Sequence, residues 1–165
     1  MDNVTLQDQN IGRHFPEMAR LFIDVMDEGS SEKDLREEYI RDGDIILHLK
    51  AAEDPTGRML GFSWVARSRL SPEKASLYLI VPPAFRRQGF GSLLFTDMEQ
   101  TVRAAGIHTL EAPVLDDCVE GLAFVRARGF TEKYHQLGMS LDLTNFDKPA
   151  YDALIDSLEA SGFVF

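Results

Sequence analysis

Residues 79–91 read Leu-Ile-Val-Pro-Pro-Ala-Phe-Arg-Arg-Gln-Gly-Phe-Gly, and an amphipathic run follows at once. An apolar strand cannot carry its ladder past two prolines, because neither has an N–H to donate. Beyond them stand two adjacent arginines, then two glycines one residue apart. Phe90, Leu94, Met98, Val102 and Ala105 then recur at helical spacing up to Gly106. Strand, basic glycine loop and helix in that order build an anion cradle. Glycines let backbone N–H groups approach a ligand closely, and the helix adds its unpaired N–H groups and the positive end of its dipole. Arg86 and Arg87 supply fixed charge and fork-shaped donors, and two neighbouring guanidiniums repel each other until an anion joins them. The fitting guest is a pyrophosphate.

The spacing narrows which one. A Walker loop requires Lys and Ser or Thr after its last glycine, whereas Gly91 is followed by Ser92-Leu93. A dinucleotide fold requires three glycines directly after its strand, and this loop has two.

Composition closes off other classes. The chain has 165 residues, enough to bury a core in one domain, with 44% hydrophobic and 27% charged residues. A net charge of −10 argues against a nucleic-acid surface, which would be basic. It suits a cationic or amine substrate and equally an acidic solvated surface. Cys118 is the one cysteine, which excludes an internal disulfide and fits a reducing compartment. No apolar run approaches membrane-spanning length and Met1-Asp2-Asn3 opens no signal peptide, so the expected location is cytoplasmic. His14, His48, His108 and His135 form no i, i+4 pair and have no cysteine partners, so no metal site is expected.

The remaining elements follow from period and punctuation. Val4 and Leu6 open a short strand. Ile11, Phe15, Met18, Phe22 and Val25 give a helix up to Gly29, with Pro16 either at its first position or inside a longer one. Ser31-x-x-Asp34 is a variant capping box ahead of a second helix ending near Gly43. Residues 45–52 and 60–67 read as a hairpin turned at Asp54-Pro55-Thr56-Gly57. Residues 75–81 form the strand before the loop, and residues 109–114 a strand. Residues 119–128 form a helix closed by Gly129, with Asp116 and Asp117 as candidate caps, and residues 132–135 and 139–143 two closing strands. The order β-α-α-β-β-β-α-β-α-β-β is mixed α/β with a crossover in its second half.

The pattern Arg86-x-x-Gly89-x-Gly91 resembles the acyl-CoA pyrophosphate loop of the GNAT superfamily of N-acetyltransferases. Residues 121–130, Gly-Leu-Ala-Phe-Val-Arg-Ala-Arg-Gly-Phe, resemble that family's fourth helix with its Gly-Phe. The resemblance implies an α/β (α+β) fold: a mixed, mostly antiparallel sheet with helices on both faces and a splay between the fourth and fifth strands. It implies acetyl-CoA as co-substrate and no metal. Backbone groups of Leu79, Ile80 and Val81 would hold the pantetheine arm. Arg86, Arg87, Gln88, Gly89, Phe90, Gly91 and Ser92 would hold the diphosphate, and Phe124 would pack in the core or against the ligand.

One departure concerns chemistry. Many members carry a tyrosine four residues before that glycine, as the acid for the leaving thiolate; here the position is Val125. Tyr78 and Glu111, on the strands that splay, are the candidate acid and the candidate base acting through water. Each has a plain alternative, Tyr78 as a packing aromatic and Glu111 as a surface charge. Cys118 precedes a helix, where a thiol pKa can fall, although a buried structural cysteine is the simpler reading.

The expected organisation is a GNAT domain over residues 1–143 and a linker helix with the start of a strand over residues 144–165. The tail pairs Asp147, Pro149 and Gly162 as cap signals around Tyr151, Leu154, Ile155 and Leu158, then ends Phe163-Val164-Phe165. Three β-formers would leave an unpaired hydrophobic edge. The run from Met139 through this helix resembles the junction in bacterial tandem GNAT proteins, of which this would be the N-terminal half or a derivative by truncation or loss. A last strand paired in its own sheet, or in a homodimer partner's, is the alternative. Two functions stand: acetyl-CoA-dependent transfer of an acetyl group to a primary amine of a small molecule, or a non-catalytic acyl-CoA-binding or structural half.

Overall fold

The computed structural model describes residues 4–26, 29–138, 142, 144–145, 147 and 149–163, without the side chains of Ile11 and Ala150. The chain divides into two compact units, Met1–Phe124 and Val125–Phe165.

In the first unit, β1 (Thr5–Asp8) precedes α1 (Ile11–Met26) and α2 (Glu32–Asp42). Next come β2 (Ile46–Glu53), β3 (Met59–Arg67), β4 (Lys74–Ile80), a 3-10 turn (Pro83–Phe85), α3 (Phe90–Ala104) and β5 (Thr109–Glu111). The open sheet runs β1-β2-β3-β4-β5; its first three pairings are antiparallel and β4–β5 is parallel. Its two faces are buried by different helices. Phe62 and Trp64 of β3 and Ile80 of β4 pack with Phe15, Met18 and Phe22 of α1 and Leu35 of α2. On the opposite face Val65 and Leu77 pack with Met98 and Val102 of α3, and Ala52 and Leu60 with Phe90 and Leu94. The period of two assigns Phe62, Trp64 and Val65 to their faces, and the register shift between Ala52 and Glu53 accompanies the turn of Leu60 to the face opposite Phe62.

Local signals place the element ends. The capping box forms: the Asp34 N–H donates to Ser31 Oγ at 3.2 Å and the Ser31 N–H to Asp34 Oδ2 at 2.9 Å. That hydroxyl holds the Asp34 carboxyl below its usual range. α1 starts five residues ahead of Pro16, at Ile11, because the Asn10 side chain accepts from the N–H groups of Gly12 and Arg13. This cap was not foreseen. In the hairpin turn, Asp54 Oδ1 accepts from the Thr56 and Arg58 N–H groups, and Gly57 takes φ 82°.

α4 (Val119–Arg126) crosses from the first unit into the second. It ends as its glycine signals: Gly129 takes φ 83°, and the Phe130 N–H reaches back to the Val125 carbonyl. In the second unit α5 (Pro149–Ala160) begins at Pro149, and Gly162 closes it at φ 92°. Tyr151 and Leu154 of its apolar face are exposed.

Two strand expectations need correction. Residues 132–135 are not a strand but exposed irregular chain. Glu132, Lys133, Tyr134 and His135 have two charges and no alternating apolar face, so a sheet offers them little burial. The strand over 109–114 stops at Glu111, two residues before Pro113, which has no N–H to donate. The strand over 139–143 lies outside the described residues except for Asp142, whose carboxylate instead accepts from Thr144 in a local turn. Val164 and Phe165 also lie outside them.

Candidate active site

The β4–β5 ladder is short, and this shapes the site. Lys74, Ala75 and Ser76 pair with Thr109, Leu110 and Glu111, and the ladder ends there, while β4 continues to Ile80. The strands therefore part beyond Ser76 and Glu111. Registered residues of a parallel pair point to the same face, which puts Glu111 on the face of Ser76 and Tyr78. Tyr78 is half-buried, edge-on to Phe22 of α1 with centroids 5.1 Å apart. Leu79 faces α3, and Ile80 is buried on the α1 face.

The loop beyond Val81 has an unusual backbone. Arg87 takes φ 62°, the one positive φ among the described residues other than glycine, and Gly89 takes φ 91° at the cap of α3. Left-handed residues at the entry to a helix turn successive N–H groups toward one concavity, the geometry of an anion-binding nest. A non-glycine residue there costs on the order of 1–2 kcal/mol, so the surrounding chain must hold it.

The loop side chains divide. Arg86 turns inward: its Nε donates to the Val81 carbonyl at 3.2 Å, and Nη1 lies 3.5 Å from Glu120 Oε2. Arg87 is exposed and has no ion-pair partner among the described residues. The Gln88 amide donates to the Ala84 carbonyl at 3.1 Å. Phe90 is buried beside Ala52, Leu60 and Leu94. Ser92 is exposed in the first turn of α3. Phe124 stands edge-on to Phe95, and a Cβ on Gly91 would come within 3.2 Å of its ring. Glycine at 91 thus lets α4 close on the start of α3.

Two participants were missed by sequence reasoning. Arg58, in the hairpin turn, lies 4.6 Å from the centre of the Phe85 ring and braces the 3-10 turn that enters the loop. Glu120 reaches Arg86 across 34 residues. No local pattern announces either contact. Among the described residues no group of three or more His, Cys, Asp or Glu could hold a metal ion, and no helix is long and apolar enough to cross a membrane.

The sequence matches the model of the Acetyltransferase (GNAT) family over residues 15–130. The chain belongs to that family. Solved GNAT-like structures share the fold at low identity. The yncA protein of Salmonella typhimurium, solved with acetyl-CoA, is 15% identical with a TM-score of 0.67, over 79% of this chain and 80% of that one. Glucosamine-6-phosphate N-acetyltransferase from Arabidopsis thaliana is 15% identical with a TM-score of 0.64, over 86% and 100%. Ribosomal-protein-alanine N-acetyltransferase from Brucella melitensis is 17% identical with a TM-score of 0.64, over 79% and 86%. No curated protein matches the sequence. The acceptors in the names of the last two, a sugar phosphate and a protein, differ chemically, so the GNAT fold does not name the acceptor.

Proposed function

We propose that this chain is an acetyl-CoA-dependent N-acetyltransferase acting on a primary amine of a small molecule. The observation that carries this reading is the loop: Arg87 at φ 62° and Gly89 at φ 91° form a basic nest at the start of α3. Residues 86–92 would hold the diphosphate through N–H groups and guanidiniums. Backbone groups of residues 79–81, where β4 has left β5, would line the pantetheine arm, and Phe124 its wall. The bound thioester supplies the acetyl group.

The chain's own residues then manage protons. Glu111, through a water, would take the proton an ammonium must lose, and the Tyr78 hydroxyl would donate the proton the departing sulfur takes. Val125 has no proton to give. A second reading follows from it: a non-catalytic acyl-CoA-binding or structural half of a tandem GNAT protein. Residues 1–143 would then be the domain and residues 144–165 the linker to a second domain or a homodimer partner. The exposed Tyr151 and Leu154 of α5 support some such cover. The single cysteine supports a cytoplasmic setting.

Calorimetry with CoA tests the binding reading. Arg86→Ala with Arg87→Ala should weaken binding by about 2–4 kcal/mol; unchanged affinity would refute it. Thiol release across an amine panel separates the two readings. Turnover that falls in Tyr78→Phe and rises in Val125→Tyr supports the proton assignment, whereas a rate untouched by Tyr78→Phe removes Tyr78 from it.

A further inference from the structure

Of the two loop arginines, one already has an anion. Arg86 is 23% exposed, and its Nη1 lies 3.5 Å from a carboxylate oxygen of Glu120 in the first turn of α4. The Glu120 side chain is 53% exposed, so charge rather than burial keeps it there. A carboxylate edge and a phosphate edge offer a guanidinium the same pair of acceptor oxygens. Both cannot use the same donors, and two anions side by side repel.

We propose that Glu120 is a built-in competitor for the anion site: it holds Arg86 until a phosphate displaces it, and thereby sets how tightly the coenzyme is kept. This rests on the coenzyme reading of the loop. Displacement is feasible because Glu120 sits in the first turn of α4, where the positive end of the helix still serves a carboxylate that has left Arg86. Each binding event exchanges one ion pair for another, so the gain is the difference between them. Release of the anion is helped by the same exchange in reverse. Glu120 is therefore a positioning residue that acts through Arg86.

The test is a double-mutant cycle on the full chain, titrated with inorganic pyrophosphate and, separately, with CoA. Glu120→Gln should tighten pyrophosphate about two- to fivefold, and CoA likewise. In an Arg86→Gln background the same change should do nothing. Asp117→Asn removes a charge from the turn before α4 and should tighten pyrophosphate much less than Glu120→Gln. Unchanged or weaker pyrophosphate binding in Glu120→Gln overturns the proposal, as does a gain that survives the loss of Arg86 or is matched by Asp117→Asn. Pyrophosphate binding by no form overturns it as well. Tightened pyrophosphate with CoA bound by no form supports the competitor and defeats the coenzyme reading instead.

Discussion

Gly61 of β3 lies so close to Ile80 of β4 that a methyl group on it would stand 2.7 Å from the Ile80 carbonyl oxygen. The obstacle is backbone, which cannot swing aside as a side-chain tip can. Gly61→Ala should destabilise the protein by about 1–3 kcal/mol. In urea unfolding the midpoint should fall with an unchanged slope.

A buried acid–histidine pair joins the start of α1 to the end of β2. The Asn10 N–H donates to His14 Nδ1, which leaves the proton on Nε2 to be donated to Glu53 Oε1 at 2.7 Å. Arg13 takes the other carboxylate oxygen at 2.8 Å, with its own side chain 53% exposed. Glu53→Ala should cost about 2–4 kcal/mol, because it orphans a buried donor. Arg13→Ala should cost about 1 kcal/mol or less. Equilibrium unfolding of both variants checks the contrast.

On the α3 face, His48 Nε2 lies 2.8 Å from Ser63 Oγ, while Lys50 and Asp97 pair at 2.9 Å beside it. Burial lowers the His48 pKa from 6.5 to about 4, against the pull of Asp97 and with help from Lys50; Asp8 acts with Asp97. The unfolded chain therefore binds this proton first, so stability falls as pH drops from about 6.5 to about 4. His48→Gln keeps a hydrogen-bonding partner for Ser63 but does not titrate. Its stability, followed by urea midpoint against pH, should decline less steeply over that window than the wild type's.

Gly89→Ala puts a side chain on a residue at φ 91°. It should lower stability by about 1–2 kcal/mol and weaken CoA about tenfold or more. Gly106→Ala, at φ 74° with nothing within 4 Å, meets a similar backbone cost away from the loop. Its CoA affinity should match the wild type's, as calorimetry on both will read.

The elements legible in the sequence were those with their own local cause. Pro82, Pro83, Gly89 and Gly91 fix where β4 stops and α3 starts, and Ser31 and Asp34 fix the start of α2. Period alone assigned Phe15, Met18 and Phe22 to one face. What stayed hidden depended on partners distant in the chain. Glu53 is 39 residues from His14, and nothing in either neighbourhood names the other. Lys50, Asp97 and Ser63 read as ordinary polar positions until β2, β3 and α3 assemble. The helical and strand periods report which way a residue faces, never what meets it there. Residues 132–135 form no strand for a related reason: Glu132 and Lys133 leave the segment no apolar face to bury.

Arg87 holds a left-handed backbone at φ 62° at the entry to α3. If the fold alone sets that conformation, its free energy belongs to folding and not to the binding equilibrium. A ligand matched to the loop meets a surface with little conformational freedom left to lose, so its affinity keeps more of the contact energy. A glycine at 87 would move the balance the other way, giving a calmer native state and a loop that must be ordered at every encounter. On the coenzyme reading, the protein would carry part of the entropic cost of recognition permanently, as a small deficit in its own stability.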